Sequence, residues 1–285
     1  MRTIVCIGML ASFSMGPAAA NRGGAESTAR VSIDERGGIV IPVMVGGAGP
    51  FNFMLDTGAT RSLVGDDLAS VVNAPLVARA ELVTSAGSEM RGVVRLARVE
   101  VAGARVESLL ATVLPAVRLR ALGSAVRGVI GQDFLSAFNY TLDYRRRLLI
   151  WDQPGDVDCG GPAALRLVPS EGRYVVHLPA SGPRGALRLV PDTGAEALVF
   201  FAAPGQAAPA IAIGSARMTG LTGERGVRAA IAPRLVVGDV TLRDQPAVIV
   251  DARNGIVDGL LPLHAFARVS FNMRDACMVV CGRGR

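Results

Sequence analysis

Phe51-Asn52-Phe53-Met54-Leu55-Asp56-Thr57-Gly58-Ala59 and Ala186-Leu187-Arg188-Leu189-Val190-Pro191-Asp192-Thr193-Gly194-Ala195 are two copies of one pattern: an apolar run delivered into Asp-Thr-Gly-Ala, with the aspartates 136 residues apart. A second landmark, Gly128-Val129-Ile130-Gly131, recurs as Gly259-Leu260-Leu261-Pro262 at nearly the same spacing. Each is followed by a short helix-like stretch and then a strand, Phe138 to Leu142 in one copy and Val269 to Met273 in the other. Two landmarks in the same order predict two homologous units in tandem.

Both units are expected to be mainly β. Gly38–Val45, Phe51–Leu55, Glu81–Thr84, Val93–Val101 and Val106–Val113 are Val-rich runs bounded by Gly, Pro and Ser. Their counterparts are Tyr174–Leu178, Leu187–Val190, Leu198–Phe201, Ala229–Val237 and Val240–Val250. Helices are expected to be few and short, among them Asp66–Val72 and Gln132–Ala137. The Pro-, Gly- and Asp-rich stretch 153–164 reads as a linker between units at 28–152 and 165–285.

Composition narrows the chemistry. Among 285 residues, half are apolar and only 19% charged, a globular balance with ample material for a core. All 30 basic residues are arginine, so there is no lysine for a P-loop, a Schiff base or a Ser/Lys pair. Two histidines, His177 and His264, cannot build a three-His zinc site, and no G-x-S-x-G nucleophile turn occurs. Neither a metal nor an organic cofactor is implied. The net charge of +6 would suit nucleic acid, but the arginines are scattered and the run Arg145–Arg147 has no stacking aromatics beside it. No nucleic-acid partner is expected, and carboxylates remain as the reactive groups.

On the two Asp-Thr-Gly-Ala motifs, the chain resembles the aspartic peptidases of the retropepsin-like and pepsin-like group, over nearly its whole length after the leader. Besides the motifs, each unit has a following apolar strand (Ser62-Leu63-Val64, Ala197-Leu198-Val199), a hairpin with turn residues at its tip and a Gly-apolar-apolar landmark. Ala59 and Ala195 after the glycines are closer to the retroviral and bacterial forms, which carry one such motif per chain and dimerise; this chain resembles a fused pair. The resemblance implies two acid-protease-like β-barrel lobes with an active-site cleft between them, a peptide or protein substrate, and Asp56 and Asp192 as the catalytic pair. Thr57, Gly58, Ala59, Thr193, Gly194 and Ala195 would support it. The hairpin tips, Ser85, Ala86 and Gly87 in one unit and Leu221, Thr222 and Gly223 in the other, would be flaps over the substrate. A monomer is expected. The alternatives are a homodimer that pairs Asp56 with its copy in a second chain, and a peptide-binding module without turnover.

The residue types suit that chemistry by themselves. Two carboxyls a few ångströms apart cannot both ionise, so they share a proton; aspartic proteases are the standard illustration of this rule. The ionised member can take a proton from water while the other donates to a carbonyl oxygen. Three features of the second unit depart from the pattern: Pro191 removes a backbone donor just before Asp192, Pro262 stands where the first unit has Gly131, and Glu196 adds a carboxylate beside the turn.

At the N-terminus Arg2 precedes an apolar run from Ile4 to Met15, then Gly16-Pro17 and Ala18-Ala19-Ala20. This is the pattern of a signal peptide over 1–20, too short for a membrane span of about 18 residues or more. The chain is expected to be exported, periplasmic or secreted, with no stable membrane span after cleavage. Three cysteines then remain. Cys277 and Cys281 on one strand would lie about 13 Å apart, too far to pair with each other, which leaves open a bridge from Cys159 to one of them or three free thiols. Cleavage after Ala20 would make Asn21 the first residue of the exported protein; intact-mass measurement should find that species, and a retained leader would refute the assignment.

Overall fold

The structure, a computed structural model, describes residues 3–5, 9–10, 20–22, 28–84, 87–151, 156–179, 185–203, 207–251 and 256–282. Strand makes up 62% and helix 8%, so the expected mainly β class, consistent with an acid-protease-like β fold, is what forms.

The N-terminal half supplies one large sheet from seven principal strands: β1 (Ile39–Val45), β2 (Ala48–Leu55), β3 (Leu63–Gly65), β4 (Leu76–Thr84), β5 (Gly87–Val101), β6 (Ala104–Leu114) and β7 (Val126–Ile130). The C-terminal half supplies a second: β8 (Arg173–Pro179), β9 (Ala186–Asp192), β10 (Leu198–Ala202), β11 (Ile211–Gly220), β12 (Gly223–Val237), β13 (Val240–Asp251) and β14 (Gly259–Pro262). The spatial orders are β4-β5-β6-β3-β7-β2-β1 and β11-β12-β13-β10-β14-β9-β8, the same path twice. In each, one strand is inserted between two others: β7 runs parallel to β2 and antiparallel to β3, and β14 runs parallel to β9 and antiparallel to β10. The insertion buries β2 and β9 at their C-terminal ends, where each delivers an aspartate.

A third sheet of six strands is built from both halves, in the order Ala164–Arg166, Cys277–Cys281, Arg268–Asn272, Tyr140–Asp143, Leu148–Trp151, Thr28–Arg30. At its centre the two post-landmark strands pair antiparallel, with Thr141 opposite Ser270. Their buried hydroxyls hydrogen-bond at 2.7 Å, and Tyr140 stacks on Phe271 with ring centroids 4.7 Å apart. Phe134, Phe138 and Trp151 pack around this centre, and Trp151 Nε1 donates to Val101 O at 2.9 Å, so the indole is both buried and satisfied.

The hairpin strands are longer than the sequence suggests. β4 starts at Leu76 rather than Glu81, β12 runs unbroken from the hairpin tip at Gly223 through the expected strand at Ala229, and β11 reaches back from the tip to Ile211. Leu76 is 67% exposed and Ile211 62%, so these strand ends are held by hairpin hydrogen bonds rather than by core burial, and alternation cannot reveal them. The short helix Ala116–Arg120 was likewise unforeseen, whereas Asp66–Val71 and Gln132–Leu135 form close to their expected limits. Within the expected leader, Thr3–Val5 lies parallel beside Arg217–Thr219 of β11, and Met9–Leu10 antiparallel beside Val83–Thr84 of β4.

Of the open cysteine alternatives, the structure has the bridge Cys159–Cys277, with Cα atoms 5.8 Å apart, and an exposed, unbridged Cys281. The bridge ties the segment after Asp156 to the C-terminal strand across 118 residues, a loop whose closure is worth about 4–5 kcal/mol by chain entropy. Thiol labelling of the unreduced, denatured chain followed by peptide mapping should modify Cys281 and leave Cys159 and Cys277 protected; labelling of Cys159 would contradict the bridge.

Candidate functional site

The last three residues of β2, Phe53, Met54 and Leu55, are all buried, and the backbone N–H of Asp56 donates to Ile130 O of β7 at 2.9 Å. The next residues must turn sharply within a closed space. Asp56 and Asp192 are both fully buried. Gly58 N and Ala59 N donate to Asp56 Oδ1 at 2.9 and 3.0 Å, and Gly194 N donates to Asp192 Oδ1 at 2.7 Å. The glycines are required by proximity to the opposite carboxyl: a Cβ on Gly58 would lie 2.6 Å from Asp192 Cγ, and one on Gly194 3.0 Å from Asp56 Oδ2. Ala59 and Ala195 are buried, leaving room for no larger side chain without rearrangement.

The inner oxygens, Asp56 Oδ2 and Asp192 Oδ2, receive no donor from elsewhere in the protein. Two carboxyls buried this close together cannot both ionise, so they hold a proton between them. Burial is the first cause holding Asp56 well above the ordinary carboxylate range, followed by the negative charge of Asp192 and then their hydrogen bond. Burial likewise raises Asp192, to about 6, against the opposing effects of Gly194 N–H, the Asp56 hydrogen bond, Arg173 and Ala195 N–H. Such a pair titrates as one unit.

The threonines join the two turns reciprocally. Thr57 Oγ1 donates to Pro191 O at 2.8 Å and accepts from Thr193 N at 3.1 Å. Thr193 Oγ1 donates to Leu55 O at 2.6 Å and accepts from Thr57 N at 3.0 Å. All four bonds are buried and all cross from one half to the other. They also account for Pro191: its carbonyl is used, while its missing N–H falls beyond the β8–β9 ladder, whose last pair toward the turn is Val176 with Leu189.

Residues that the sequence did not single out brace the first turn. Gln132 Nε2 donates to Thr57 O at 2.8 Å and Gln132 N to Ala59 O at 2.9 Å. Ser62 donates from both N and Oγ to Asp133, whose carboxyl is raised by burial to about 6, and Ser62 Oγ accepts from Gly131 N at 3.1 Å. Gly131 must be glycine here, since a Cβ would meet Arg61 C at 2.7 Å. Pro262 occupies the matching place beside Asp192 and starts a single 3-10 turn. Glu196 lines a narrow opening with Asp34, Arg36, Gly38, Met54, Leu122 and the Thr193–Ala195 turn. Arg173, buried at the start of β8, was also missed; only counting back along the β8–β9 ladder points to it.

The hairpin tips of the two halves meet. Thr84 and Thr222 are in hydrogen-bond contact through their hydroxyls, and Thr222 Oγ1 donates to Gly87 O at 3.3 Å. Leu221, expected to face substrate, is buried in the apolar cluster of Leu82, Leu114, Leu119 and Val126 from the N-terminal half. Gly223 opens β12 as Gly87 opens β5; Ser85 and Ala86 lie outside the described residues. Among the described residues, no three His, Cys, Asp or Glu side chains converge as a metal site needs.

Residues 41–134 match a family model described as aspartyl protease. That segment holds the first Asp-Thr-Gly-Ala turn, its hairpin and the Gly131 landmark, and supports an aspartyl protease relationship; the match does not extend to Asp192. No curated protein matches the chain.

Replacing Thr57 or Thr193 by valine keeps the shape and removes one hydroxyl, which strands a buried N–H and a buried carbonyl. Each change should lower unfolding stability by about 2–6 kcal/mol, from two orphaned groups that cost about 1–3 kcal/mol apiece. Urea unfolding measures it, and a change within about 0.5 kcal/mol, typical of surface positions, would contradict the interlock.

Proposed function

We propose that the chain is an exported aspartic endopeptidase in which Asp56 and Asp192 together activate water against a peptide bond. The observation that carries this reading is the pair of fully buried carboxyls that meet across the two turns, each held by backbone N–H on its outer oxygen with no donor on its inner one. With one proton between them, the pair holds a base and an acid at the same place. The ionised carboxylate removes a proton from water as its oxygen adds to the scissile carbonyl carbon, and the protonated carboxyl donates to the carbonyl oxygen. The resulting diol breaks its C–N bond as the nitrogen accepts the proton now on the former base and one diol hydroxyl gives its proton to the former acid, which returns the pair to its starting state.

In this reading the halves, 28–152 and 165–285, are two lobes with the cleft between them, and an extended peptide lies beneath the β4–β5 and β11–β12 hairpins. The tip-to-tip contact of Thr84 and Thr222 supports closure from both sides. The proximity of Asp192 to Gly58, and of Asp56 to Gly194, favours an intramolecular pair over one built from Asp56 of two chains. Export rests on the leader pattern alone, with periplasm or medium as the destination.

Asp56→Asn and Asp192→Asn should each lower turnover of an unfolded protein substrate by about 10²–10⁴-fold, the range for loss of acid–base catalysis, and the double variant should be no worse than either. In the parent chain, activity should fall as pH drops through the pair's lower apparent value, where the base is protonated, and again as pH rises through its upper one, where the acid loses its proton. Burial raises both carboxyls, so both limbs lie above the ordinary carboxylate range. Both folded-state values are raised, so the pair's contribution to stability is greatest below the ordinary carboxylate range and is lost as pH rises through those values. Thermal unfolding at neutral pH should therefore find the Asn variants folded and at least as stable as the parent. Full activity in Asp192→Asn with none in Asp56→Asn would overturn the single-chain pair in favour of the dimer.

A further inference from the structure

The backbone by itself favours a charge on Asp56, whose Oδ1 accepts from Gly58 N and Ala59 N, over Asp192, whose Oδ1 accepts from Gly194 N. The residue across the sheet acts the other way. Counting on from the pair Ile39–Leu55 reaches Gly38 and Asp56; counting on from Val176–Leu189 reaches Arg173 and Asp192. At the first position there is no side chain and no room for one, because a Cβ on Gly38 would lie 2.8 Å from Asp34 Oδ2. At the second there is a guanidinium.

Arg173 opens β8 directly after a tight turn. It follows the two-residue turn Glu171-Gly172, both with positive φ, and pairs with Ser170 across that hairpin. The hairpin tip abuts the first catalytic turn, since a Cβ on Gly172 would be 3.5 Å from Thr60 Cβ. Arg173 is 5% exposed, its Nε has no hydrogen-bond partner, and among the described residues it makes no ion pair. The charges that face it are Glu171, on the exposed turn, and the two carboxyls Asp192 and Asp56. A guanidinium remains charged even when burial opposes it, so its field acts on that pair.

We infer that Arg173 is a positioning residue that fixes the negative charge on Asp192 and leaves the shared proton on Asp56. Asp192 is then the base toward water and Asp56 the acid toward the carbonyl. The inference rests on the aspartic-peptidase reading for its consequence in catalysis, but the charge placement itself can be measured without turnover.

The test uses the full chain with ¹³C-labelled Asp carboxyls, followed by NMR titration. In Asp56→Asn the remaining Asp192 should titrate at lower pH than Asp56 does in Asp192→Asn. Adding Arg173→Met to both backgrounds should close that gap, by about one pH unit or more as expected for a carboxylate losing a neighbouring arginine, and Arg173→Lys should preserve it. Glu171→Gln, at an exposed position, should move Asp192 further down and serves if the methionine variant does not fold. Equal titration of the two sites, or a gap unmoved by Arg173→Met or Glu171→Gln, would overturn the inference. Peptidase assays on the same proteins keep the two readings apart. A titration gap that follows Arg173 in a chain without turnover upholds the charge placement and rejects the peptidase; turnover with no gap does the reverse. In an active enzyme, Arg173→Met should shift both limbs of the kcat/KM profile to higher pH.

Discussion

Two carboxyl groups buried side by side are costly to hold, because each charged form loses its water and repels the other. In this protein that cost is confined to one point, where Asp56 and Asp192 meet, and the surrounding structure is organised to keep the point closed. The four threonine bonds matter because they are reciprocal: each hydroxyl donates to a carbonyl of the opposite half and accepts an N–H from it. Neither turn can move alone without orphaning buried groups on both sides. The glycines complete the arrangement, since a methyl at Gly58 would collide with the Asp192 carboxyl.

Behind the turns, the fold repeats a single device. A strand inserted between two neighbours, β7 beside β2 and β14 beside β9, buries the approach to each aspartate and gives it a fixed end point. The six-stranded sheet then joins the halves through paired strands that occupy equivalent positions in the two repeats. Symmetry in the backbone therefore supplies the meeting of like groups, while asymmetry in side chains distinguishes them. The first turn is braced by Gln132, Ser62 and Asp133; the second has Pro262 and Arg173.

The hairpins follow the same logic at lower stakes. Their outer strands are exposed and held chiefly by cross-strand hydrogen bonds, yet the tip of one anchors in the other half by burying Leu221. Glu89 sits between Arg91 and Arg118, whose charges and hydrogen bonds pull its carboxyl below the usual range, and Arg118 also reaches Leu221 O at 3.5 Å. These part-exposed ion pairs add at most about 1 kcal/mol each, so the buried leucine is the stronger part of the contact.

Much of this was written locally in the chain. Apolar strands ending in Asp-Thr-Gly-Ala, repeated after 136 residues, carry the β class, the duplication and the two aspartates, because strand burial and tight turns depend on neighbours in sequence. The composition removed lysine and multi-histidine chemistry by simple absence. What the local pattern could not contain is anything set by contacts across the two halves. The partner of Cys159, the burial of Leu221 and the use of Pro191's carbonyl each depend on which surfaces come together. Arg173 is the clearest case: in the sequence it is one of 30 scattered arginines, and only the strand register, which counts on to it from Asp192 as it counts on to Gly38 from Asp56, brings it to the pair.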